Sequence, residues 1–389
     1  MIADLHAHYP MHLMPPGAGS AHDALRARRR RARWRARLLD AFSRLANYQG
    51  PAGGPGVTVD LMRRGRVGVV LSVLYSPFAE MDLSKHYAAA PEDGYFRDVQ
   101  EQLDLVERDI GDNESAFARV VHGPTELSEA LRDGKVALVH CLEGGFHLGE
   151  SEAAVRANVA ELARRGVAYV TLAHLFWRRV ATNTPALPVP EWAYRLVFRQ
   201  PGGEGLSERG AVALDAMVEH GILVDIAHMS QASLDDTFRL LDERDPGRRV
   251  PVIASHGACR FGRRTYNLSS QTIERVAERG GVVGISASER HLTDGLRSGT
   301  RSFADSVDVV CAHVDRIREI SGSFDHAALG SDLDGYIKPA VHGLEHMGRM
   351  AALEDALGER YGEADAAKVC SGNALRLLER HWLAPAGSR

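Results

Sequence analysis

No stretch of this chain is long and apolar enough to span a bilayer: runs such as VGVVLSVLY at 67–75 fall far short of the roughly 20 residues a membrane helix needs. Cysteine is scarce as well. Cys141, Cys259, Cys311 and Cys370 are widely spaced with no Cys-x-x-Cys pair, so neither a thiolate zinc site nor a redox pair is signalled. They read as small buried residues in a reducing compartment. The opening MIADLHAHYP has no basic segment followed by an apolar core and a cleavage site. The closing LLERHWLAPAGSR has no hydrophobic tail for a lipid anchor. A cytoplasmic protein without membrane attachment is expected. An excess of one charge is missing too: 47 basic and 51 acidic residues leave a formal charge of −4, which gives no pull toward nucleic acid. The basic run RARRRRARWRAR at 26–37 therefore reads as a solvated helix. Gly-rich phosphate loops, G-x-S-x-G elbows and cysteine-nucleophile contexts are also absent.

What the chain does have is alternation. Short apolar runs recur along its 389 residues: IADLHAH, VGVVLSVLY, VALVHCLEGG, YVTLAH, LVDIAH, PVIASH, GGVVGISA and AALGSDLDG. Between them lie stretches of helical periodicity that close on glycine, such as SEAAVRANVAELARRG and SERGAVALDAMVEHG. Strand, loop and helix repeated in this way predict an α/β fold, a (β/α)8 barrel of the TIM type forming one domain over 1–389. Long connections at about 76–133 and 175–206 are expected to build the substrate pocket on the catalytic face.

The residues that end these runs carry the chemistry. His6 and His8 alternate about Ala7, so both point to one face of a strand and can grip one ion. Glu143, in CLEGG, has two carboxylate oxygens with which to bridge two cations. His174, His228 and His256 end the fourth, fifth and sixth runs, and Asp332 and Asp334 follow the eighth. A barrel gathers such endings at one mouth. His6, His8, Glu143, His228 and His256 are the expected ligands of two divalent ions, and their nitrogen and oxygen donors suit Zn²⁺ better than Mg²⁺ or Ca²⁺. A water activated between two such ions would be the nucleophile. Asp332 is the candidate to manage its proton, with Asp334 as the alternative. His174 is the candidate donor to a developing oxyanion. The remaining histidines, His291 and His313 among them, are expected to be exposed, and His140 and His147 flank Glu143 closely enough to support it.

Together, DLHAH, LVHCLEGG, YVTLAHLFWRRVATNTPAL, GILVDIAHMS, PVIASHGACR, GGVVGISA and HAALGSDLDG, in this order, resemble the membrane dipeptidase family of metal-dependent hydrolases. The resemblance runs from residue 1 to about Asn373. It implies a binuclear zinc centre that hydrolyses dipeptides, often with a D-residue at the C-terminal position, in proteins that are often homodimers. His6 and Glu143 match ligands of one zinc, and Glu143, His228 and His256 those of the other. His174 matches a substrate-contacting histidine and Asp332 the acid near the bridging water. In two places the chain departs from the family pattern. His8 stands where the family has aspartate, which removes one negative charge from that metal position. Tyr266, before Asn267, stands where an arginine holds the substrate carboxylate, leaving Arg263 and Arg264 as the substrate-binding candidates beside Tyr266. Hydrolysis of a lactone, cyclic amide or phosphoester, or a weakly catalytic metal-binding role, are the alternatives on the same ligands.

Overall fold

The computed structural model describes residues 1–13, 37, 41, 44–80 and 87–384. The basic run lies outside these residues apart from Arg37, which is exposed and helical. Among the described residues, nine parallel strands form a single sheet: β1 (Ile2–Ala7), β2 (Val67–Leu74), β3 (Ala118–Val121), β4 (Val136–Glu143), β5 (Tyr169–Thr171), β6 (Leu223–Asp225), β7 (Val252–Gly257), β8 (Val283–Ile285) and β9 (Ala327–Leu329). Their order is β2-β1-β9-β8-β7-β6-β5-β4, and β2 pairs with β4 along Val69–Leu74 and Ala137–Leu142 to close an eight-stranded barrel.

β3 is the strand that the hydrophobic pattern did not predict. It pairs with Val136–Val139 of β4, below the point where Leu142 and Glu143 pair with β5, and so wedges the bottom of the barrel rather than extending its mouth. Its ARVV sequence is short and half buried, which leaves little apolar signal.

The eight barrel strands are buried along almost their whole length, as expected of parallel strands covered by helices. In β2, Val69, Val70, Leu71 and Leu74 have no exposed surface, and each such side chain contributes roughly 1.5–3 kcal/mol of burial. The covering helices stop and start where predicted. Ser151 and Ser207 cap Glu152–Arg164 and Glu208–His220, accepting from the amides of Ala154 and Gly210 at 3.1 Å, and Gly221 ends the second with φ 72°.

The barrel ladder ends early at the mouth, and buried carboxylates take over its hydrogen bonds. Asp225, fully buried, accepts from the amides of Ala227 (3.1 Å) and Ser255 (2.8 Å) and from the hydroxyls of Thr171 (2.5 Å) and Ser255 (2.6 Å). Asp4 does the same for His6 (3.0 Å) and Ser331 (2.9 Å), where β1 shifts register against β2. His174, His228 and Asp332 consequently lie just beyond β5, β6 and β9, on loops rather than on the strand ends that the apolar runs predict. Main-chain donors bound to side-chain oxygens are satisfied, so the backbone can leave the sheet while still buried.

Candidate active site

Five histidine Nε2 atoms surround the Glu143 carboxylate. His6 (3.4 Å), His228 (3.3 Å) and His256 (3.6 Å) face Oε1, and His8 (3.6 Å) and His174 (3.2 Å) face Oε2. Asp332 Oδ1 closes the other side, 3.3 Å from His8 Nε2 and 3.8 Å from His6 Nε2. All of these side chains are buried. Gly144, with φ 98°, turns the chain away directly after Glu143, a conformation that glycine adopts without strain.

The atoms facing inward lack protein donors. His6 Nε2, His8 Nε2 and Glu143 Oε2 are buried with no hydrogen-bond partner, and His228 Nε2 lies only 2.9 Å from His256 Nε2. Native interiors rarely leave such atoms unmet. Among the described residues, three overlapping donor groups lie close enough to hold an ion: His6, Glu143 and His256; His6, His8 and Asp332; Glu143, His174 and His228. This set of imidazoles and carboxylates fits divalent transition metals.

Neighbours fix the tautomers. Tyr169 donates its only proton to Leu5 O (3.0 Å), so the 2.7 Å contact between its oxygen and His6 Nδ1 requires the proton on Nδ1 and leaves the His6 Nε2 lone pair facing the centre. His174 Nδ1 lies 2.7 Å from Glu80, which also accepts from Tyr75 Oη (2.7 Å) and the Phe176 amide (2.9 Å). Two non-glycine residues at the site hold left-handed backbone, His228 (φ 64°) and Asp332 (φ 58°), of the kind that collects at functional sites.

The electrostatics divide the cluster. Burial pushes His8 down to about 4 and His256 well below the usual imidazole range, so both are neutral, as ligands must be. Burial opposes charge on Glu143 and His174 as well, but their mutual attraction wins: with the further effect of His6, the Glu143 carboxyl is held well below its ordinary range, and Glu143 and Glu80 bring His174 up to about 10. Burial raises Asp332 well above the usual carboxyl range, against the effect of His6.

The other predicted residues divide. Tyr266 is buried with its ring edge-on to His228 at 5.1 Å. Arg263 is exposed, and Arg264 is half buried with its amide donating to Asp294. Asp334 does not serve as the alternative acid. Its carboxylate turns away to accept from the amides of Gly56 and Val57 at 3.0 Å, because the loop after β9 reverses between Asp332 and Tyr336. His147 is used structurally, with Nδ1 bonded to Gly144 O and Nε2 to the Ser76 amide, and His140 faces Glu107 instead. His291 and His313 are buried, not exposed as expected, because each occupies the inner side of its helix: His291 stacks on Tyr266 at 4.2 Å, and His313 Nδ1 accepts from the Cys259 amide.

Glu80 and Tyr75 are the functional residues that strand endings alone do not reveal. Glu80 lies in the long connection at 76–133, past β2, and its only sequence signal is an isolated acid in the otherwise apolar SPFAE. Glu80→Gln is expected to lower kcat by roughly 10-fold or more with metal content unchanged, because the partner that orients His174 is weakened. Steady-state kinetics beside metal analysis check this, and unchanged kcat would remove Glu80 from the site.

Three comparisons bear on this geometry. Residues 46–384 match the family described as membrane dipeptidase, peptidase family M19. The match begins after β1, so His6 and His8 lie outside it. A dipeptidase of Claviceps purpurea, tcpJ, is 28% identical over 328 residues, 82% of this chain and 68% of its own. Among solved structures, a metallopeptidase from Rhodobacter sphaeroides liganded with a phosphinate mimic of the dipeptide L-Ala-D-Ala is similar with a TM-score of 0.71, at 20% identity over 98% of this chain and 99% of its own. The dipeptidase AC, a metallopeptidase of family M19, gives 0.70 at 21% identity, covering 98% of both chains.

Proposed function

Since this chain belongs to the membrane dipeptidase family, peptidase family M19, we propose that its five-histidine cluster around Glu143 is the binuclear metal centre of a dipeptidase, with zinc as the resident ion. The protein is a metal-dependent hydrolase of dipeptides. The observation that carries the site assignment is the convergence of unpartnered, inward-facing ligand atoms on one buried carboxylate.

His6, His8 and Asp332 would hold one ion, His228 and His256 the other, with Glu143 between them. When bound, the ions would polarise the scissile carbonyl and make a water acidic enough to attack it. The chain's own residues do the rest. His174, held at Nδ1 by Glu80, offers Nε2–H to the carbonyl oxygen as negative charge builds on it. Asp332, whose Oδ1 faces the same centre, would act in its carboxylate form, taking the proton of the attacking water and returning it to the leaving amine. Tyr169 and Ser255 keep the His6 and His256 rings turned inward through their Nδ1 atoms. His8 puts a neutral imidazole where the family has an aspartate, and its Nε2 lies 3.3 Å from Asp332 Oδ1. A cytoplasmic location belongs to the same proposal and draws support from four cysteines that are all free and buried.

Protein purified without chelators is expected to carry about two equivalents of a divalent transition metal and to prefer L,L- or L,D-dipeptides over lactones and phosphotriesters. Less than about one equivalent, or faster turnover of a lactone, would overturn the reading.

A further inference from the structure

Three of the five histidine rings at the centre are turned by a contact at Nδ1: His6 meets Tyr169 at 2.7 Å, His174 meets Glu80 at 2.7 Å and His256 meets Ser255 at 3.0 Å. His228 is different. Its Nδ1 is buried, and among the described residues no acceptor meets it. A neutral His228 that turns its Nε2 lone pair toward Glu143 carries its proton on Nδ1, and metal-binding histidines nearly always anchor that proton. The backbone of His228 is secured from the long connection after β5: its carbonyl accepts from the Thr184 amide (2.8 Å) and hydroxyl (3.2 Å). Those bonds fix the main chain, with φ at 64°, and leave the rotation of the ring to its neighbours.

Those neighbours are rings. Tyr266 lies edge-on to His228, with centroids 5.1 Å apart and planes at 73°, and His174 meets the same ring edge-on at 4.6 Å. Tyr266 is itself held in place. His291 stacks on it at 4.2 Å and 22°, and Asn267, next in the chain, donates through its side-chain amide to His291 O at 2.9 Å. Leu175 and Ala186 pack with Tyr266 in a small apolar cluster separate from the barrel core. Tyr266, Asn267 and His291 are all buried. Edge-to-face rings attract one another through their quadrupoles, and at the packing density of a protein interior a ring flanked in this way has little freedom to turn.

We infer that Tyr266 is a positioning residue for the metal position at His228 and His256: supported by the stacked His291, its ring holds the His228 imidazole turned toward Glu143. Tyr266 thereby does for His228 what contacts at Nδ1 do for His6, His174 and His256. The inference rests on the binuclear reading above. It assigns the role to the ring of Tyr266 and not to its hydroxyl. Among the described residues the ring neighbours of Tyr266 are His228, His256 and His291, so the role concerns one ion and spares the one at His6, His8 and Asp332.

The test measures zinc affinity of the full chain by competition with a chromogenic chelator. Tyr266→Leu is expected to weaken one of the two ions by roughly tenfold or more and to leave the other within about threefold, as loss of a partner that orients a metal ligand does. Tyr266→Phe keeps the ring and is expected to hold both ions within about threefold of wild type. His291→Leu withdraws the stacked support and should weaken the same ion, by less. Tyr266→Leu added to His228→Ala should change nothing further, which assigns the loss to this position. Equal weakening of both ions, a phenylalanine variant as weak as the leucine one, a further loss in the double variant, or full affinity in Tyr266→Leu would overturn the inference. If Tyr266→Leu does not fold, the other two variants decide: weakening of one ion in His291→Leu with retention in Tyr266→Phe supports the role, and any other combination overturns it. Two ions in wild type and two equally tight in Tyr266→Leu defeat this inference alone. A wild type that binds no ion at His228 and His256 defeats the binuclear reading with it.

Discussion

Glu143→Gln is expected to abolish turnover and to reduce bound metal from about two ions per chain to at most one. Five imidazole nitrogens converge on this carboxylate, and the amide that replaces it can offer only one neutral oxygen. Partners one step removed from a metal ligand are already worth about 10–100-fold, so loss of the bridging group itself is expected to exceed about 10³-fold in kcat/KM. The fold should persist, since glutamine keeps the shape and no core side chain changes. What should shrink is the dependence of Tm on metal: wild type is expected to melt lower after chelation, by mass action, while the variant, with at most one ion to lose, is expected to drop by less. Two retained ions, or turnover within tenfold of wild type, would place the bridge elsewhere.

The second large effect comes from a position with no chemistry of its own. A methyl group at Gly335 would lie 1.9 Å from Asp332 Oδ1 and 2.6 Å from the His8 ring. Gly335→Ala must therefore displace the acid, the histidine or both. Overpacking costs about 1–3 kcal/mol in stability, but the loss in kcat is expected to be larger, roughly 10² or more, because the proton acceptor and one metal position move together. Metal analysis separates the contributions: a fall confined to one ion points to the His6, His8 and Asp332 position. Full activity in Gly335→Ala would show that this loop yields more readily than its packing implies.

The sequence carried much of this because β-strand endings are local signals. The barrel strands appear as apolar runs, and His6, His8, Glu143 and His256 lie on or immediately after them. Register beyond the strands was not legible. Asp332 and Asp334 are two residues apart, as on a strand, yet they diverge because Asp332, Asp334 and Tyr336 all adopt positive φ. The placing of His174 and His228 past β5 and β6 depends on Asp225, whose role appears only when Thr171 and Ser255 meet it across the barrel. Glu80 finds His174 94 residues away, and Arg290 reaches Ala186 across 104. No pattern within a window of a dozen residues encodes such pairs. His291 and His313 were misjudged for a related reason: a helical position has an inner side, and polarity alone does not say which residue faces it.

The pairing of β1 with β9 has a consequence in time. His6 and His8 precede every other residue of the centre in the chain, yet the strand that carries them finds one partner only at Leu329, and the Asp4 carboxylate beside them waits for the Ser331 amide. Synthesis delivers Glu143, His228 and His256 long before Asp332. A nascent chain thus holds every residue of the constellation except Asp332 well before the centre can assemble. Completion of the centre coincides with closure of the barrel seam, so an incompletely synthesised chain lacks the geometry for the reaction however much of its ligand set it already contains.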